Sequence, residues 1–310
     1  MTSAPHSSDD RSVAIAVDLG GTKVEAAVVC ADGRVEGAVF RAATGREGSR
    51  DAIGDAVREV AASAFASLGA RDRLVGVGIG SAGPIDLATG SVSPLNLPLA
   101  AALPIIRLVE TEVPGAPVRL ALDGTCIALA EYAFGAARGA RNALAMVVST
   151  GIGGGLVIDG MPVTGLSGNA GHIGQVRLRA RGDGEPATDG TLEAIASGPS
   201  SVAWARAHGW DGSTGEELAR AYERHDAVAV AAVRRSAGAV GEAIASVSTL
   251  LDLDVAVIAG GFAGVAPDYI DLVRASASRS AVFAYARRVE IVPSGLDGRG
   301  PLVGAASLVL

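Results

Sequence analysis

The sequence predicts an α/β protein of two related lobes, with mixed sheets flanked by helices and a central cleft. Nearly half of its 310 residues are apolar and 42 are glycine, a composition that suits buried strands joined by tight turns. An apolar strand runs into a glycine-rich turn in each predicted lobe, at Gly20–Gly21 and at Thr150–Gly155. Beyond residue 190 the apolar residues follow helical spacing.

The N-terminal elements follow from apolar alternation and from turn residues. Asp18 ends an apolar strand and alternation resumes at Val24, so Gly20–Thr22 is predicted to join two strands of a hairpin. The elements expected next are a turn at Ala31–Gly33, a third strand, a helix from about Arg50 to Leu68, a buried strand at Leu74–Gly80 and a turn at Ser81–Asp86. A short strand at Val118–Asp123 and a helix from Gly124 to Phe134 complete this part.

The C-terminal elements begin with a strand at Ala143–Ser149, the glycine turn Thr150–Gly155 and a strand at Leu156–Ile158 that leads to a hairpin. Helices are predicted at 192–196, 200–207, 215–222 and 227–251, followed by a strand at Val255–Ala259 that leads to Gly260–Gly261. We expect a disordered tail at 1–12, an N-terminal lobe at 13–121 to which 296–310 return, and a C-terminal lobe at 122–295.

Composition excludes several classes of function. The net charge of −7 argues against nucleic acid as a partner, and no apolar run is long enough to cross a membrane. The polar N-terminal residues lack a signal-peptide core, so we expect a cytoplasmic protein. Cys30 and Cys126 lie far apart in apolar segments and are interpreted as core residues rather than metal ligands.

Three features together point to phosphoryl transfer. Glycine turns let backbone N–H groups, with Thr22 and Lys23, approach phosphate oxygens, and Asp18 can organise a hydrated magnesium ion beside them. Asp123 ends a strand where open α/β sheets place ligands, and it can accept the proton of an attacking hydroxyl. Taken singly, the first motif also suits a tight hairpin, and Asp123 also suits a helix N-cap.

The chain resembles the ROK group (repressors, open reading frames and sugar kinases) of the actin-like ATPase superfamily. The resemblance covers nearly the whole chain and is carried, in order, by Asp18–Lys23, Gly78–Asp86 with Asn96–Pro98, Glu131–Arg138, Ser149–Gly155, Gly168–Gly174, Leu192–Gly198 and Ala259–Gly261. It implies a two-lobed actin-like (ribonuclease H-like) fold and an ATP-dependent sugar kinase that uses Mg²⁺ and forms a homodimer. Whether polyphosphate replaces ATP as the donor stays open.

The resemblance also implies roles for individual residues. Asp123 is the expected catalytic base, and Asp18 is expected to hold Mg²⁺ through water. The nucleotide would be bound by Asp18, Gly20, Gly21, Thr22, Lys23, Thr150, Gly151, Gly153, Gly154, Gly260 and Gly261. The sugar would be bound by Ser81, Asn96, Leu122, Asp123, His172, Gln175 and Glu193. Valine at Gly153 or Gly154 is then expected to weaken ATP binding.

Departures from the family pattern bear on the substrate. Leu122 stands where family sugar kinases have asparagine, and His172 and Gln175 replace the glutamate and the histidine of Glu-x-Gly-His. His172 resembles the histidine of N-acetylmannosamine kinases. The family's structural zinc uses the replaced histidine and a cysteine cluster, and the matching loop Arg179–Thr191 has no cysteine, so we expect no zinc. Glu193 suits sugar binding or capping of a helix near Thr191.

The leading hypothesis is therefore a kinase for the primary hydroxyl of a hexose derivative such as an amino sugar or N-acetylmannosamine, with glucose a poorer substrate. Glucokinase activity, or a kinase for a secondary-metabolite amino sugar or a cyclitol, is the alternative. A sugar-responsive repressor is disfavoured because little sequence precedes the first phosphate motif and the chain is acidic. A sugar-binding protein without catalysis is disfavoured because Asp123 and both glycine turns are present.

Overall fold

The structure is a computed structural model that describes residues 11–44, 49–95, 97–178, 190–296 and 298–310. The chain divides into two compact units, each described separately below. Unit 1 comprises Met1–Ala130, Thr164–Ala170 and Arg299–Leu310. Unit 2 comprises Glu131–Val163 and Gly171–Gly298. Helix α3 (Asp123–Phe134) starts in unit 1, so residues 122–130, which we had assigned to the C-terminal lobe, group with the N-terminal strands.

Unit 1 is built on a five-stranded mixed sheet of order β3-β2-β1-β4-β7. Its elements besides α3 are β1 (Arg11–Leu19), β2 (Lys23–Cys30), β3 (Val35–Ala43), α1 (Arg50–Ala66), β4 (Asp72–Ser81), β5 (Ile85–Asp86), β6 (Ser91–Val92), α2 (Ile105–Glu112), β7 (Val118–Leu122) and, numbered last in the chain, α9 (Gly300–Ala306). The predicted hairpin is present, with β1 and β2 antiparallel and Asp18 opposite Glu25. β4 runs parallel to both β1 and β7.

The central strand β1 is buried on both faces over residues 13–17 because these five residues are all apolar. Val13, Ile15 and their neighbours on one face belong to the same core cluster as α1, while Ala14 and Ala16 on the other face pack with α9. Only small residues fit between β4 and α9, since a Cβ at Gly78 would lie 1.7 Å from the carbonyl oxygen of Ala305. This close packing fixes the carboxyl ends of β1 and β4.

Unit 2 is built on a second five-stranded sheet, of order β10-β9-β8-β11-β12. Its elements are β8 (Ala143–Val148), β9 (Ile152–Ile158), β10 (Met161–Pro162), α4 (Leu192–Ala196), α5 (Gly198–Ala207), α6 (Gly215–Glu223), α7 (Ala227–Leu251), β11 (Val255–Ala259), α8 (Tyr269–Ser280) and β12 (Glu290–Pro293). The long helix α7 starts at the cap residue Asp226, whose carboxylate accepts hydrogen bonds from the N–H groups of Val228 and Ala229.

The α/β class predicted from the sequence is confirmed, and several predicted boundaries need correction. β1 begins at Arg11, so the last two residues of the predicted tail are strand, and residues 1–10 lie outside the described part. α1 ends at Ala66 rather than Leu68. The second glycine turn is shorter than predicted, because Gly153–Gly155 pair with Ala145–Val147 inside β9. In the described part of the chain, no helix combines the length and apolar character that a membrane span requires.

Candidate active site

Two carboxylates of unit 1 lie at the carboxyl ends of its parallel strands. Asp18 is the penultimate residue of β1, and Asp123 directly follows β7. β4 runs between these strands, and its Gly80 is opposite Asp18. A Cβ at Gly80 would lie 3.6 Å from Asp18 Oδ1 and 3.1 Å from Cys126 Sγ, so a side chain there would crowd the carboxylate. This edge is where open α/β sheets place ligands.

The two carboxylates interact strongly enough to alter ionisation. Burial, then the charges of Asp123 and Glu25, raise the pKa of Asp18 to about 7, while Lys23 acts in the opposite direction. Burial and the same two aspartates raise the pKa of the Cys126 thiol well above its ordinary value. Cys126 is therefore a neutral, fully buried core residue, as expected. A proton or a nearby cation would offset the cost of the negative charge on Asp18.

Asp123 is the first residue of α3, and its Oδ1 accepts a hydrogen bond of 2.7 Å from the N–H of Gly124. Its side chain is half-buried. A carboxylate at the N-terminus of a 12-residue helix is stabilised by the helix dipole. Helix start and candidate base are thus the same residue, so the two interpretations left open by the sequence do not exclude each other.

The first glycine turn leads into a charged network that the sequence analysis missed. Lys23 Nζ lies 2.7 Å from Glu25 Oε2, and Arg41 Nε donates to the other oxygen of the same carboxylate. Glu25 is only 8% exposed, and although burial acts to raise its pKa, the two cationic partners lower it overall. Lys23 must share or leave Glu25 to meet a phosphate. The signal was the spacing of Lys23 and Glu25, which share one face of a strand.

The predicted sugar residues of unit 1 occupy different environments. Ser81 is fully buried, and its hydroxyl donates to the carbonyl of Ala82 over 2.9 Å. Leu122 is 1% exposed and belongs to the apolar core of this unit, so its side chain does not present a surface to solvent. Asn96 lies outside the described residues. The segment after Ser81 is held by Asn169, a residue to which the sequence analysis gave no role.

The second glycine turn, in unit 2, consists of Ser149–Gly151 between β8 and β9. It closes through a 2.9 Å hydrogen bond from the N–H of Ser149 to the carbonyl of Gly151, and Thr150 at its tip is exposed. Gly260 follows β11 with φ of 102°, and a Cβ there would lie 2.4 Å from the carbonyl oxygen of Val148. Gly261 faces open space. Gly260 is therefore required for packing, while Gly261 leaves an open approach to backbone.

Glu193 links the second glycine turn to Gln175 within unit 2. Its Oε2 accepts a 2.7 Å hydrogen bond from the N–H of Ile152, and its Oε1 accepts one of 3.2 Å from Gln175 Nε2. The cap of α4 is instead Thr191, which accepts from the N–H of Ala194. Glu193 therefore does not cap the helix. His172 is half-buried and precedes the short 3₁₀ turn Ile173–Gln175.

Helix α4, which carries Glu193, is held by hydrogen bonds from two residues of α7. Arg235 Nη1 donates to the carbonyl of Ile195 over 2.6 Å, and Ser236 Oγ donates to that of Ala196 over 2.7 Å. Both donors are buried. They satisfy carbonyl groups that the end of a short helix leaves unpaired. These bonds stabilise the helix that positions Glu193.

The carboxylate groups of unit 1 are suitable ligands for Mg²⁺. Asp18 and Asp123 offer hard oxygen ligands, and a bound cation would favour the ionised form of Asp18, whose pKa burial and the charge of Asp123 raise to about 7. Among the described residues no group of three or more His, Cys, Asp or Glu side chains could hold a metal. Mg²⁺ commonly uses one or two carboxylates with water and substrate phosphates, so this finding suits it. Residues 179–189, the main part of the predicted zinc-free loop, lie outside the described residues.

Valine at Gly154 is now expected to act on stability, which changes the prediction made from the sequence. A Cβ there would lie 2.9 Å from Ile173 Cγ2 and 3.0 Å from the carbonyl oxygen of Ala145, inside the core. Gly154→Val should lower the free energy of unfolding by about 1–3 kcal/mol through overpacking. Urea unfolding measures this loss, with Gly264→Val as the control because Gly264 faces open space. A Gly154→Val protein of wild-type stability with weaker ATP binding would restore the original interpretation.

Comparisons with known proteins cover nearly the whole chain. The ROK family model matches residues 14–310. A glucokinase of Streptomyces coelicolor is 30% identical over 317 residues, spanning 95% of this chain and 96% of the relative. An N-acetylmannosamine kinase of Salmonella arizonae is 34% identical over 268 residues, spanning 84% of this chain and 87% of the relative.

Solved structures show the same fold. A ROK hexokinase from Thermus thermophilus superposes with a TM-score of 0.81 at 32% identity, covering 96% of this chain and 97% of that one. A ROK family glucokinase from Streptomyces griseus, solved with glucose and AMPPNP, gives a TM-score of 0.79 at 29% identity, covering 96% and 99%. The fold expected from the sequence motifs is confirmed.

Proposed function

The chain belongs to the ROK family and is an ATP-dependent sugar kinase, and from that premise we propose that it phosphorylates the primary hydroxyl of a hexose derivative carrying an amino or acetamido group. Asp123 accepts the proton of this hydroxyl while the hydroxyl oxygen forms a bond to the γ-phosphorus of ATP. The bond between that phosphorus and the β–γ bridging oxygen breaks at the same time, and ADP leaves. Asp18 would hold a hydrated Mg²⁺ through water, and the ion would supply neutralisation of phosphate charge. The first glycine turn in unit 1, and the second glycine turn with Gly261 in unit 2, each offer backbone N–H groups that suit phosphate oxygens.

The observation that carries the substrate proposal is the contact between Gln175 and Glu193. An ionised carboxylate only accepts hydrogen bonds, so the Gln175 atom that faces Glu193 Oε1 at 3.2 Å must be the donor Nε2. The amide oxygen of Gln175 is therefore left as an acceptor. A histidine, as family sugar kinases have here, has two ring nitrogens, and in its protonated form it can donate to Glu193 through one and still offer the other N–H to the sugar.

This exchange of a donor for an acceptor changes which substrate group is favoured. A sugar hydroxyl that accepts a hydrogen bond from a histidine would lose its partner here, whereas an N–H of an amino or acetamido group would gain one. The negative charge of Glu193 adds to the preference for a protonated amine. Similarity to N-acetylmannosamine kinases supports the acetamido case.

The test compares kcat/KM for glucose with that for glucosamine, N-acetylmannosamine, a 3-amino-hexose and an aminocyclitol, using release of ADP. We expect a nitrogen-bearing compound to exceed glucose by about tenfold or more, the value of one good hydrogen bond of about 1.4 kcal/mol. A wild-type enzyme that prefers glucose over every analogue would make glucokinase the function and end this proposal.

Gln175→His isolates the contact. It should shift the ratio of kcat/KM values toward glucose by about tenfold, because it returns a donor to this position. Val176→His is the matched control, since it places the same side chain at the adjacent, exposed residue. Leu122→Asn is unsuited to this purpose because it would bury an amide in the apolar core. An unchanged ratio in Gln175→His would remove Gln175 from specificity.

A further inference from the structure

The segment 164–170 has an unusual place in the chain. It belongs to unit 1, although the residues on both sides of it, Val163 and Gly171, belong to unit 2. The chain thus leaves unit 2 for only seven residues before returning. His172 follows directly after that return. Contacts made by these seven residues themselves must therefore hold the segment in unit 1.

Asn169 holds the segment by hydrogen bonds from both polar atoms of its side chain. Its Oδ1 accepts a hydrogen bond from the N–H of Ile85, and its Nδ2 donates to the carbonyl of Ile85, each over 2.8 Å. The two residues are 84 positions apart. Nδ2 also lies 3.2 Å from the carbonyl oxygen and 3.3 Å from Oγ of Ser167, which favours the same amide orientation.

The bonded backbone is an open strand edge. β5 is only two residues long and pairs with β6 on one side, where Ile85 is opposite Val92. The N–H and carbonyl of Ile85 are taken by Asn169, which acts as a neighbouring strand would. The side chain of Ile85 is buried, so an unpaired backbone here would be costly.

A second contact shows that the segment is seated closely. Gly168 has φ of 84°, and a Cβ there would lie 2.7 Å from Leu87 Cδ1 and 3.2 Å from Ile85 Cδ1. No side chain fits between the segment and β5.

Ile85 belongs to the stretch Ser81–Asp86, whose first residue, Ser81, is expected from the family resemblance to bind the sugar. This stretch continues β4 immediately after Gly80, beside the carboxylate of Asp18. We propose that Asn169 is a positioning residue that fixes Ser81–Asp86 for sugar binding; this inference rests on the proposed function. It acts through the backbone of Ile85 and not by contact with the reacting atoms.

The variant Asn169→Leu removes both hydrogen bonds at nearly constant volume. We expect KM for the sugar to rise about tenfold, with kcat and KM for ATP within about twofold of wild type, because only the sugar stretch is released. A general loss of structure would instead change all three parameters. Ser167→Ala is the control, since it removes a neighbouring contact of the same amide but leaves both bonds to Ile85.

The variant Asn169→Asp adds a readout that a merely structural role would not produce. An ionised aspartate cannot donate to the Ile85 carbonyl, whereas its protonated form can both donate and accept as the amide does. Its sugar KM, relative to wild type at the same pH, should fall as the pH is lowered from 8 to 5, while its ATP KM ratio stays constant. Asn169→Leu should show no such recovery.

Neighbouring titratable groups do not mimic this effect. The pKa of Asp86 is lowered by hydrogen bonds from the Thr89 hydroxyl and from the N–H groups of Ala88 and Thr89, so this carboxylate stays ionised across the range. His172 is common to all the proteins compared, and its contribution cancels in the ratio.

The outcomes separate the two proposals. No sugar-dependent ADP release by the wild-type protein would overturn the proposed function and this inference with it. An active wild type whose sugar KM is unchanged in Asn169→Leu, or whose sugar and ATP KM values rise equally, would overturn the role of Asn169 alone.

Discussion

Replacing Asp123 with asparagine is expected to lower turnover by about 10²–10³-fold while leaving the fold intact, the loss being that of a positioned general base. Asparagine retains a side-chain oxygen that can accept from the N–H of Gly124, so the start of α3 is preserved. It cannot take a proton from the sugar hydroxyl. Because the base acts in the transition state, kcat should fall with little change in either KM, as measured by ADP release.

A matched control and a clear contrary result accompany this variant. Asp51→Asn removes a carboxylate from the exposed first turn of α1, and turnover should be unchanged. Near-wild-type turnover in Asp123→Asn would remove Asp123 from the mechanism. A fall in turnover accompanied by a lower melting temperature would instead make it a structural helix-start residue.

The sequence predicted elements whose pattern is local. The hairpin about Gly20–Thr22 and the helix after Asp123 follow from alternation, turn residues and a strand that ends in an acid. Helix α9 was not predicted, because Gly300–Ala306 contains proline and small residues that resemble a loop. Its packing explains it: a Cβ at Gly304 would lie 1.7 Å from the carbonyl oxygen of Cys126. Such fit between distant elements leaves no periodic signal.

In the candidate site, too, local motifs could be predicted from the sequence and long-range contacts could not. Asp18, Asp123 and the glycine turns could be proposed because they form short motifs beside strands. The bonds from Glu193 to Ile152 and from Asn169 to Ile85 join residues 41 and 84 positions apart, and no spacing rule connects them. Leu122 was interpreted as facing the sugar, yet its side chain lies in the core, because alternation alone does not say which face of a strand is covered.

Asp18→Asn is expected to gain stability relative to wild type as the pH rises, and to be much less active. Burial, then the charges of Asp123 and Glu25, raise the pKa of Asp18 to about 7 in the folded protein. Since the unfolded carboxyl has its ordinary, lower pKa, the folded state binds more protons than the unfolded state between these values. The contribution of Asp18 to wild-type stability is therefore greatest in acid and falls as the pH rises toward 7.

Asparagine carries no charge, so it avoids this loss. Between pH 5 and pH 8 the stability of Asp18→Asn relative to wild type should increase by about 2–3 kcal/mol, from about 1.4 kcal/mol for each pH unit below the folded pKa. Any pH-independent cost of the substitution cancels in this difference. Urea unfolding followed by circular dichroism without Mg²⁺ measures it. Turnover with Mg²⁺ and ATP should fall by about 10²-fold, because the water ligands of the ion lose their carboxylate acceptor.

The opposite signs of these two effects make the test selective. A residue that merely supports the fold would lose stability and activity together, whereas a carboxylate kept beside Asp123 for a cation trades stability for function. Asp51→Asn controls for the loss of one negative charge at an exposed position. An equal stability difference at pH 5 and pH 8 would mean that Asp18 is already ionised at pH 5. That result would contradict the raised pKa of Asp18 beside Asp123 and with it the proposed Mg²⁺ position.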